Sequence, residues 1–267
     1  MKAVNLLLSL TTLSLTLACG SQELKKREGP STTQEEASFI SGGDLAKTDS
    51  PEAKSTVAID IGDSGRCTGT IISKNRIVTA AHCMIGREPN DLTILFGNNL
   101  DVAAKRKRVK KIVIHPDYNH NAPLVDPRGD SKAKGFINDI AFIDIVGRIP
   151  SSFKVMPILP NAKEFKSGNY VAIAGYGNTY DGSGASQQLR RTASIVKLVD
   201  SDRKVFVIEN GNHSTCTGDS GGPAIRKIDG VAYLVGATSW GYAKCGLDNA
   251  FTVMTDVRKF WRFLTQK

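Results

Sequence analysis

The sequence predicts an all-β fold, either an antiparallel barrel or a sandwich, and three observations support this expectation. Short runs rich in Val, Ile and Thr recur along the chain, and Gly, Asn, Asp and Pro separate them at close spacing. No long helical pattern stands between the runs, which argues against a parallel sheet with crossover helices. Only the tail has apolar residues at helical spacing.

Eleven runs carry the strand signal, and one segment between them does not. In chain order the runs are residues 55–61, 68–80, 92–97, 109–115, 140–146, 170–177, 193–199, 204–210, 221–228, 231–241 and 249–255. Residues 119–135 are polar and contain Pro and Gly, so we expect a long surface loop there. The tail, residues 256–264, is predicted to be a docked helix. Its apolar positions are Val257, Phe260, Trp261 and Leu264.

The composition is that of a globular protein. The chain has 267 residues, of which 40% are hydrophobic and 23% charged, and this is enough to bury a sizeable core. One domain, or two halves fused tightly, is expected.

The amino terminus has the pattern of a secretory signal peptide over residues 1–18. Lys2 supplies a positive start, and the following run to Ala18 is apolar or hydroxylated and too short to span a bilayer comfortably. We therefore expect a secreted or periplasmic protein.

Residues 19–39 are predicted to be a pro-segment or linker, because they are polar and lack apolar periodicity. Cys19 stands in "LTLACGS", which resembles the lipoprotein box of bacteria, whose Cys is lipidated after cleavage. Two alternatives remain open: a bacterial protein tethered to the membrane through a lipid on Cys19, or an ordinary free amino terminus at the same bond. The folded domain is predicted to span residues 40–267.

The five cysteines predict disulfides rather than a metal site. An exported chain favours disulfides, and setting Cys19 aside leaves four cysteines that form pairs. His82 neighbours Cys83, but no CxxC or HxxxH spacing supports a metal. No cofactor or metal is expected.

Three separated runs supply a His, an Asp and a Ser, which are residue types that act together in nucleophilic catalysis. "TAAHC" ends with His82 and Cys83, "NDIAFIDI" places Asp139 at the start of a strand, and "CTGDSGGPA" surrounds Ser220 with glycines. In this chain order the three residues resemble the triad of the chymotrypsin/trypsin-like serine peptidases. The resemblance implies two antiparallel six-stranded barrels packed together with a C-terminal α-helix.

Other runs extend the resemblance from Ile40 to the end of the chain. In order they are "ISGGD" at 40, "CTGTII" at 67, "HPDY" at 115, "AGYG" at 174 and "SWG" at 239. The resemblance also implies two disulfides, Cys67 with Cys83 and Cys216 with Cys245.

The resemblance implies a role for each residue of the triad. A Ser hydroxyl is a poor nucleophile until a neighbouring base removes its proton. His82 is expected to be that base, Asp139 to orient its ring, and Ser220 to attack the substrate carbonyl. Backbone N–H groups of Gly218 and Ser220 are expected to form the oxyanion hole. Gly221 and Gly222 are expected to keep the approach of the peptide free of side chains.

An activation step also follows from the resemblance. Cleavage before Ile40 is expected to free an ammonium group that pairs inside the protein with Asp219. The residue before the cut is Phe39, so either another peptidase cuts there or the enzyme accepts an aromatic residue and activates itself.

The resemblance also implies a specificity pocket with Ser214 at its floor. The run Ser239, Trp240 and Gly241 is expected along one side, where the substrate backbone pairs. An uncharged floor favours a preference for apolar or aromatic residues. Asp248 and Asn249 are expected near the pocket wall, so a Lys/Arg preference stays an alternative.

The chain is basic, with a net charge of +9 and a pI near 9.3. The charge concentrates around Lys105, Arg106, Lys107 and Arg108. The first interpretation is a solvated edge strand protected from aggregation by its lysines. The alternative is contact with an anionic surface, without specific nucleic-acid recognition.

The expected partners are protein or peptide substrates and protein inhibitors. The protein is expected to be a monomer. Two competing functions fit parts of the sequence. A non-enzymatic binding relative would have lost a triad member, yet all three are present. An esterase on an α/β sheet would use G-x-S-x-G, which "GDSGG" matches, but β-type residues follow it instead of a helix.

Overall fold

The computed structural model of the chain describes residues 40, 43–123, 134–209, 213–241, 245 and 251–266. The predicted signal peptide, the pro-segment with Cys19, and the pocket residues Asp248 and Asn249 lie outside these residues. No helix within the described ranges is long and apolar enough to span a membrane.

The described residues form fifteen strands. In chain order they are β1 Asp44–Leu45, β2 Thr56–Asp60, β3 Arg66–Ile71, β4 Arg76–Thr79, β5 Thr93–Phe96, β6 Lys105–Ile114, β7 Asn119–Pro123, β8 Lys134–Ile137, β9 Ala141–Ile145, β10 Tyr170–Gly175, β11 Arg190–Asp200, β12 Val205–Glu209, β13 Pro223–Ile228, β14 Val231–Gly241 and β15 Phe251–Asp256. Each predicted run overlaps at least one of them.

Twelve of the strands form two antiparallel six-stranded barrels. The first closes in the order β2-β3-β4-β9-β6-β5. In the second, the order β11-β10-β13-β14-β15-β12 closes through pairing of β11 with β12, and the short β1 adds to β11. The predicted all-β class and two-barrel architecture are confirmed.

Each barrel has its own apolar core, and a third cluster joins the two. Val78 and Phe142 of the first barrel pack with Ile225 and Leu234 of the second. Because closure pairs the strand edges within each barrel, the remaining apolar faces are buried against the other barrel and the chain end.

The chain end is helical, but it begins as a 3₁₀ turn. Val257–Phe260 form that turn, and the α-helix Trp261–Thr265 continues it. Val257, Phe260 and Leu264 are buried as predicted, whereas the Trp261 residue is 54% exposed. Adjacent helical residues point about 100° apart, so Trp261 turns outward where Phe260 turns inward. The predicted docking of the tail is confirmed, but Trp261 does not take part in the buried face.

The predicted loop at 119–135 contains strand structure. β7 and β8 form a hairpin, with Asn119 opposite Ile137 and Ala122 opposite Gly135. Backbone hydrogen bonds between the two strands build it, so it needs no apolar run. Among the hairpin residues whose burial is described, only Ala122 and Gly135 are buried.

The basic strand β6 is not an edge strand. It pairs with β5 on one side and β9 on the other inside the closed barrel. The interpretation of β6 as an edge strand was therefore wrong, although its residues 105–108 pair only with β5 and its residues 109–114 only with β9.

Candidate active site

The pairing of β4 with β9 brings the side chains of His82 and Asp139 together. Thr79, the last residue of β4, lies opposite Ala141, the first of β9. His82 follows β4 by three residues and Asp139 precedes β9 by two. Both side chains therefore lie at the same end of the first barrel.

Asp139 is the acceptor at the centre of a hydrogen-bond cluster. The residue is 1% exposed. Its Oδ1 accepts from the His82 backbone N–H at 2.9 Å, and its Oδ2 contacts His82 Nδ1 at 2.8 Å. The hydroxyl of Ser239 also donates to Oδ2, at 2.5 Å. A carboxylate accepts only, so Nδ1 carries a proton, and in the neutral form of such a ring the lone pair is on Nε2.

The second barrel holds Asp139 in place. Ser239 belongs to β14, and Thr255 of β15 donates its hydroxyl to the Asp139 carbonyl at 2.9 Å. Ser239 was predicted only as a neighbour of the substrate, and Thr255 was not singled out. The sequence signal for Ser239 is the "SWG" run; a buried Thr in a strand carries no such signal.

Aromatic residues of the long segment between His82 and Asp139 cover the imidazole. The His82 and Phe136 rings lie 5.1 Å apart between centroids, and Tyr118 packs next to Phe136 at 6.1 Å. Burial, with the charge of Asp139 second, raises the pKa of Tyr118 to about 12. Sequence reasoning missed Phe136 because it directly follows the predicted loop 119–135 and belongs to no predicted strand run.

Ser220 lies in the turn before β13, and its backbone is fixed to the first barrel. Its carbonyl accepts from the Thr68 N–H of β3 at 2.8 Å and lies 3.9 Å from Cys83 Sγ. Within the part of the chain that the structure describes, no hydrogen bond joins the Ser220 hydroxyl to the His82 ring. Catalytic hydrogen bonds are often long before substrate binds.

The turn before Ser220 presents backbone donors. The Thr217 carbonyl accepts from the Asn178 N–H at 2.7 Å. Because a trans peptide directs its C=O and N–H to opposite sides, the N–H of Gly218 points away from Asn178. Among the described residues, neither the Gly218 nor the Ser220 N–H has a protein acceptor. Both donors are therefore available to a ligand.

Two glycines of this turn are required by the backbone. Gly218 has a φ of +101°, and a Cβ there would lie 2.8 Å from the Cα of Gly177. A Cβ on Gly221 would lie 2.1 Å from Thr79 Oγ1. The absence of a side chain at Gly221 thus serves the packing of the turn on β4, which differs from the predicted role of clearing a path for substrate.

Asp219 points into the protein from the same turn. It is 1% exposed, and its two oxygens accept from the N–H groups of Gly177 at 2.8 Å and Cys216 at 2.9 Å. Burial raises its pKa to about 6. No ion pair with a described cation compensates its charge. Ile40, its predicted activation partner, is 2% exposed within the core of the second barrel.

A cavity of about 210 Å³ lies beside Ser220. The described residues that line it are Thr215, Cys216, Thr217, Ser220, Thr238, Ser239, Trp240, Gly241 and Cys245. None of these side chains is charged. Ser214 is 3% exposed and directly precedes the lining residue Thr215.

Both implied disulfides are present. Cys67 bonds to Cys83 beside His82, and Cys216 bonds to Cys245 at the cavity. Within the described ranges, no three His, Cys, Asp or Glu side chains lie together as a metal site. The described site presents a hydroxyl, an imidazole, a carboxylate and backbone N–H groups.

Comparison with known families agrees with this geometry. The family model described as Trypsin matches residues 40–264. The chain belongs to the trypsin family. Its folded part is accordingly a domain of the serine-type endopeptidase class.

Individual relatives come from animals and bacteria. The chain is 29% identical to transmembrane protease serine 11A of Homo sapiens over 221 residues, which cover 76% of this chain and 49% of that protein. It is 30% identical to trypsin-1 of Astacus astacus over 210 residues, 70% of this chain and 82% of that one. The identity to a trypsin of Saccharopolyspora erythraea is 28% over 223 residues, 76% and 86% of the two chains. The aligned region thus spans about half of the human relative.

Proposed function

We propose that this trypsin-family chain is a serine endopeptidase that cleaves peptide bonds through an acyl-enzyme on Ser220. The observation that carries the proposal is the buried Asp139 carboxylate at 2.8 Å from His82 Nδ1. This contact fixes the tautomer in which Nε2 has a lone pair, which is the form that acts as a general base.

The proposed reaction uses the roles of the family's triad. His82 Nε2 takes the Ser220 hydroxyl proton while Oγ bonds to the substrate carbonyl carbon, and the carbonyl electron pair moves to oxygen. The N–H groups of Gly218 and Ser220 bind the oxyanion. The imidazolium then donates its proton to the leaving amine, and the C–N bond breaks. Water attacks the acyl ester by the same route and restores the hydroxyl.

The function is tested by hydrolysis of a fluorogenic peptide library by processed protein. Ser220→Ala and His82→Ala are each expected to lower kcat by about 10⁴- to 10⁶-fold. Ser151→Ala, at an exposed Ser, is the matched control and should keep wild-type activity. A wild-type protein without activity on any peptide supports the competing class, a non-enzymatic binding relative.

The proposed enzyme is made as a zymogen that is activated by cleavage before Ile40. The support is Asp219, whose buried carboxylate lacks a cation among the described residues, so a new ammonium group would relieve an unpaired charge. Amino-terminal sequencing of the active form tests this scheme. A first residue other than Ile40 would discard it.

The proposed specificity is for apolar or aromatic side chains. The uncharged lining of the cavity beside Ser220 supports it. The alternative is a Lys/Arg preference conferred by Asp248 or Asn249. Matched Phe and Lys peptide substrates distinguish the two, and Asp248→Asn lowers kcat/KM for the Lys substrate only if the alternative holds.

We propose that the chain is a bacterial protein that its signal peptide directs to export. After removal of that peptide, the amino terminus either carries a lipid on Cys19 or is free. Two disulfides in the described domain support an oxidising compartment. Labelled palmitate incorporated by the wild type and lost in Cys19→Ser would establish the lipid. Absence of label on the wild type would leave the free amino terminus.

A further inference from the structure

The side chain of Thr68 lies beneath the turn that carries Ser220. The residue belongs to β3 and is 0% exposed. Its hydroxyl donates to the Gly218 carbonyl at 2.8 Å and accepts from the Tyr176 N–H at 3.2 Å. A single hydroxyl thus joins three parts of the chain: β3, the end of β10 and the turn of Gly218.

The main chain of Thr68 holds the same turn. Its N–H donates to the Ser220 carbonyl at 2.8 Å, and its own carbonyl accepts from Thr79 Oγ1 at 2.9 Å. Thr68 therefore binds the carbonyls of both Gly218 and Ser220, the two residues whose N–H groups have no described acceptor.

The hydrogen bond from the Thr68 hydroxyl limits the backbone rotation of Gly218. Glycine rotates more freely than any other residue, and Gly218 has a φ of +101°. The peptide before it is held by Asn178 through the Thr217 carbonyl, and the peptide after it is held by Thr68. Removing the Thr68 hydroxyl takes away one of the two hydrogen bonds of the second peptide, whose Asp219 N–H still donates to the Cys216 carbonyl at 3.0 Å. It also leaves the Gly218 carbonyl buried without its donor.

We propose that Thr68 is a positioning residue of the oxyanion-binding turn, acting through Gly218. The inference rests on the proposed function, because it assigns to Thr68 the alignment of an N–H that acts on the transition state. Oxyanion donors are effective when they are already aimed at the developing charge, so misalignment lowers the rate of the chemical step.

The test compares Thr68→Val, which keeps the shape and removes the hydroxyl, with Thr68→Ser, which keeps the hydroxyl. Thr70 supplies a matched control on the same strand, since it is also 0% exposed but its hydroxyl has no hydrogen-bond partner among the described residues. In processed enzyme, Thr68→Val is expected to lower kcat by about 10- to 100-fold with little change in KM. Thr68→Ser and Thr70→Val should stay within about threefold of the wild type.

A peptide boronate separates positioning from general loss of structure, because it forms a tetrahedral adduct on Ser220. Its affinity should fall in Thr68→Val in proportion to kcat, while the KM of the matching substrate stays constant. Thr68→Ala removes the same hydroxyl and leaves a smaller side chain. If Thr68→Val folds poorly, the same measurements are made on Thr68→Ala.

Unchanged kcat and boronate affinity in a folded Thr68→Val would overturn the proposal. So would equal losses in Thr68→Val and Thr70→Val, because that result would mean a packing effect of the strand. A wild type that neither hydrolyses peptides nor binds the boronate would instead refute the proposed function, which distinguishes the two failures.

Discussion

Asp139 combines full burial with three donors on one carboxylate, and this combination decides which nitrogen of His82 is available to Ser220. The two donors from His82 come from the same barrel as Asp139, whereas the Ser239 hydroxyl comes from the other. A buried carboxylate with this many donors is costly to leave unpaired, so the ring is held in one orientation.

The first prediction concerns Asp139→Asn. The amide offers only one acceptor oxygen and adds an N–H₂ group, so the ring loses its preference for the tautomer with a proton on Nδ1. We expect kcat to fall by about 10⁴-fold, as this change does in the family's triad, with little change in the free energy of unfolding. Kinetics and urea unfolding of processed protein measure both.

Asp144→Asn is the matched control for that prediction, because Asp144 lies in β9, the strand that Asp139 precedes, and pairs with Arg76 instead of His82. It should lower the free energy of unfolding and leave kcat unchanged. Equal kcat values for the wild type and Asp139→Asn would contradict the assigned role of Asp139.

The second prediction concerns the pH dependence of the unprocessed chain. The folded pKa of Asp219, about 6, lies above its ordinary value of 3.8, so the folded state binds more protons than the unfolded state between these two values. The free energy of unfolding should therefore fall as pH rises from about 4 to about 6. The expected loss from this residue is about 3 kcal/mol.

Urea unfolding in a Ser220→Ala background, which prevents self-processing, measures this dependence. Adding Asp219→Asn to that background should flatten the curve over the same pH window. Processing before Ile40 should reverse the slope, because the new ammonium then favours the charged carboxylate. An identical pH slope with and without the Asp219→Asn change would show that this buried carboxyl does not titrate as described.

Strands with buried side chains could be predicted from the sequence. Strands that form only through backbone pairing with a neighbour could not. Strands such as β2 and β9 carry apolar runs because the barrel core needs them. The hairpin of β7 and β8 has a polar sequence, and its strands exist because each pairs with the other. Its Phe136 therefore remained hidden from pattern reasoning although it packs on His82.

The basic face of β6 supports the third prediction, contact with an anionic surface. Lys105, Arg106 and Arg108 are exposed, and none of them has an ion pair among the described residues. Exposed cations that have no described ion-pair partner attract polyanions. The double variant Arg106→Glu/Arg108→Glu should elute from heparin at distinctly lower salt than the wild type.

A control with the same change in net charge is Lys47→Glu/Lys163→Glu, since both lysines are exposed and lie away from β6 in sequence. It should elute at higher salt than the β6 variant. Equal elution of the two variants would mean that heparin senses net charge alone and that β6 forms no anionic contact site.

The two barrels each supply residues to the active site. The first supplies His82, Asp139 and Thr68, and the second supplies Ser220 and the donor Ser239. Each triad residue was recognisable from its own short motif. The role of Thr68 was not, because its partner Gly218 lies 150 positions away and only the packing of the barrels brings them together.

The central claim is that this assembly makes the Ser220 hydroxyl a nucleophile, and covalent labelling tests it most directly. A fluorophosphonate probe is added to processed protein, and the modified residue is mapped by mass spectrometry. We expect a single label on the peptide that contains Ser220, lost in Ser220→Ala, strongly slowed in Asp139→Asn and unchanged in Ser151→Ala. A processed, folded wild type that takes no label at Ser220 would contradict the account.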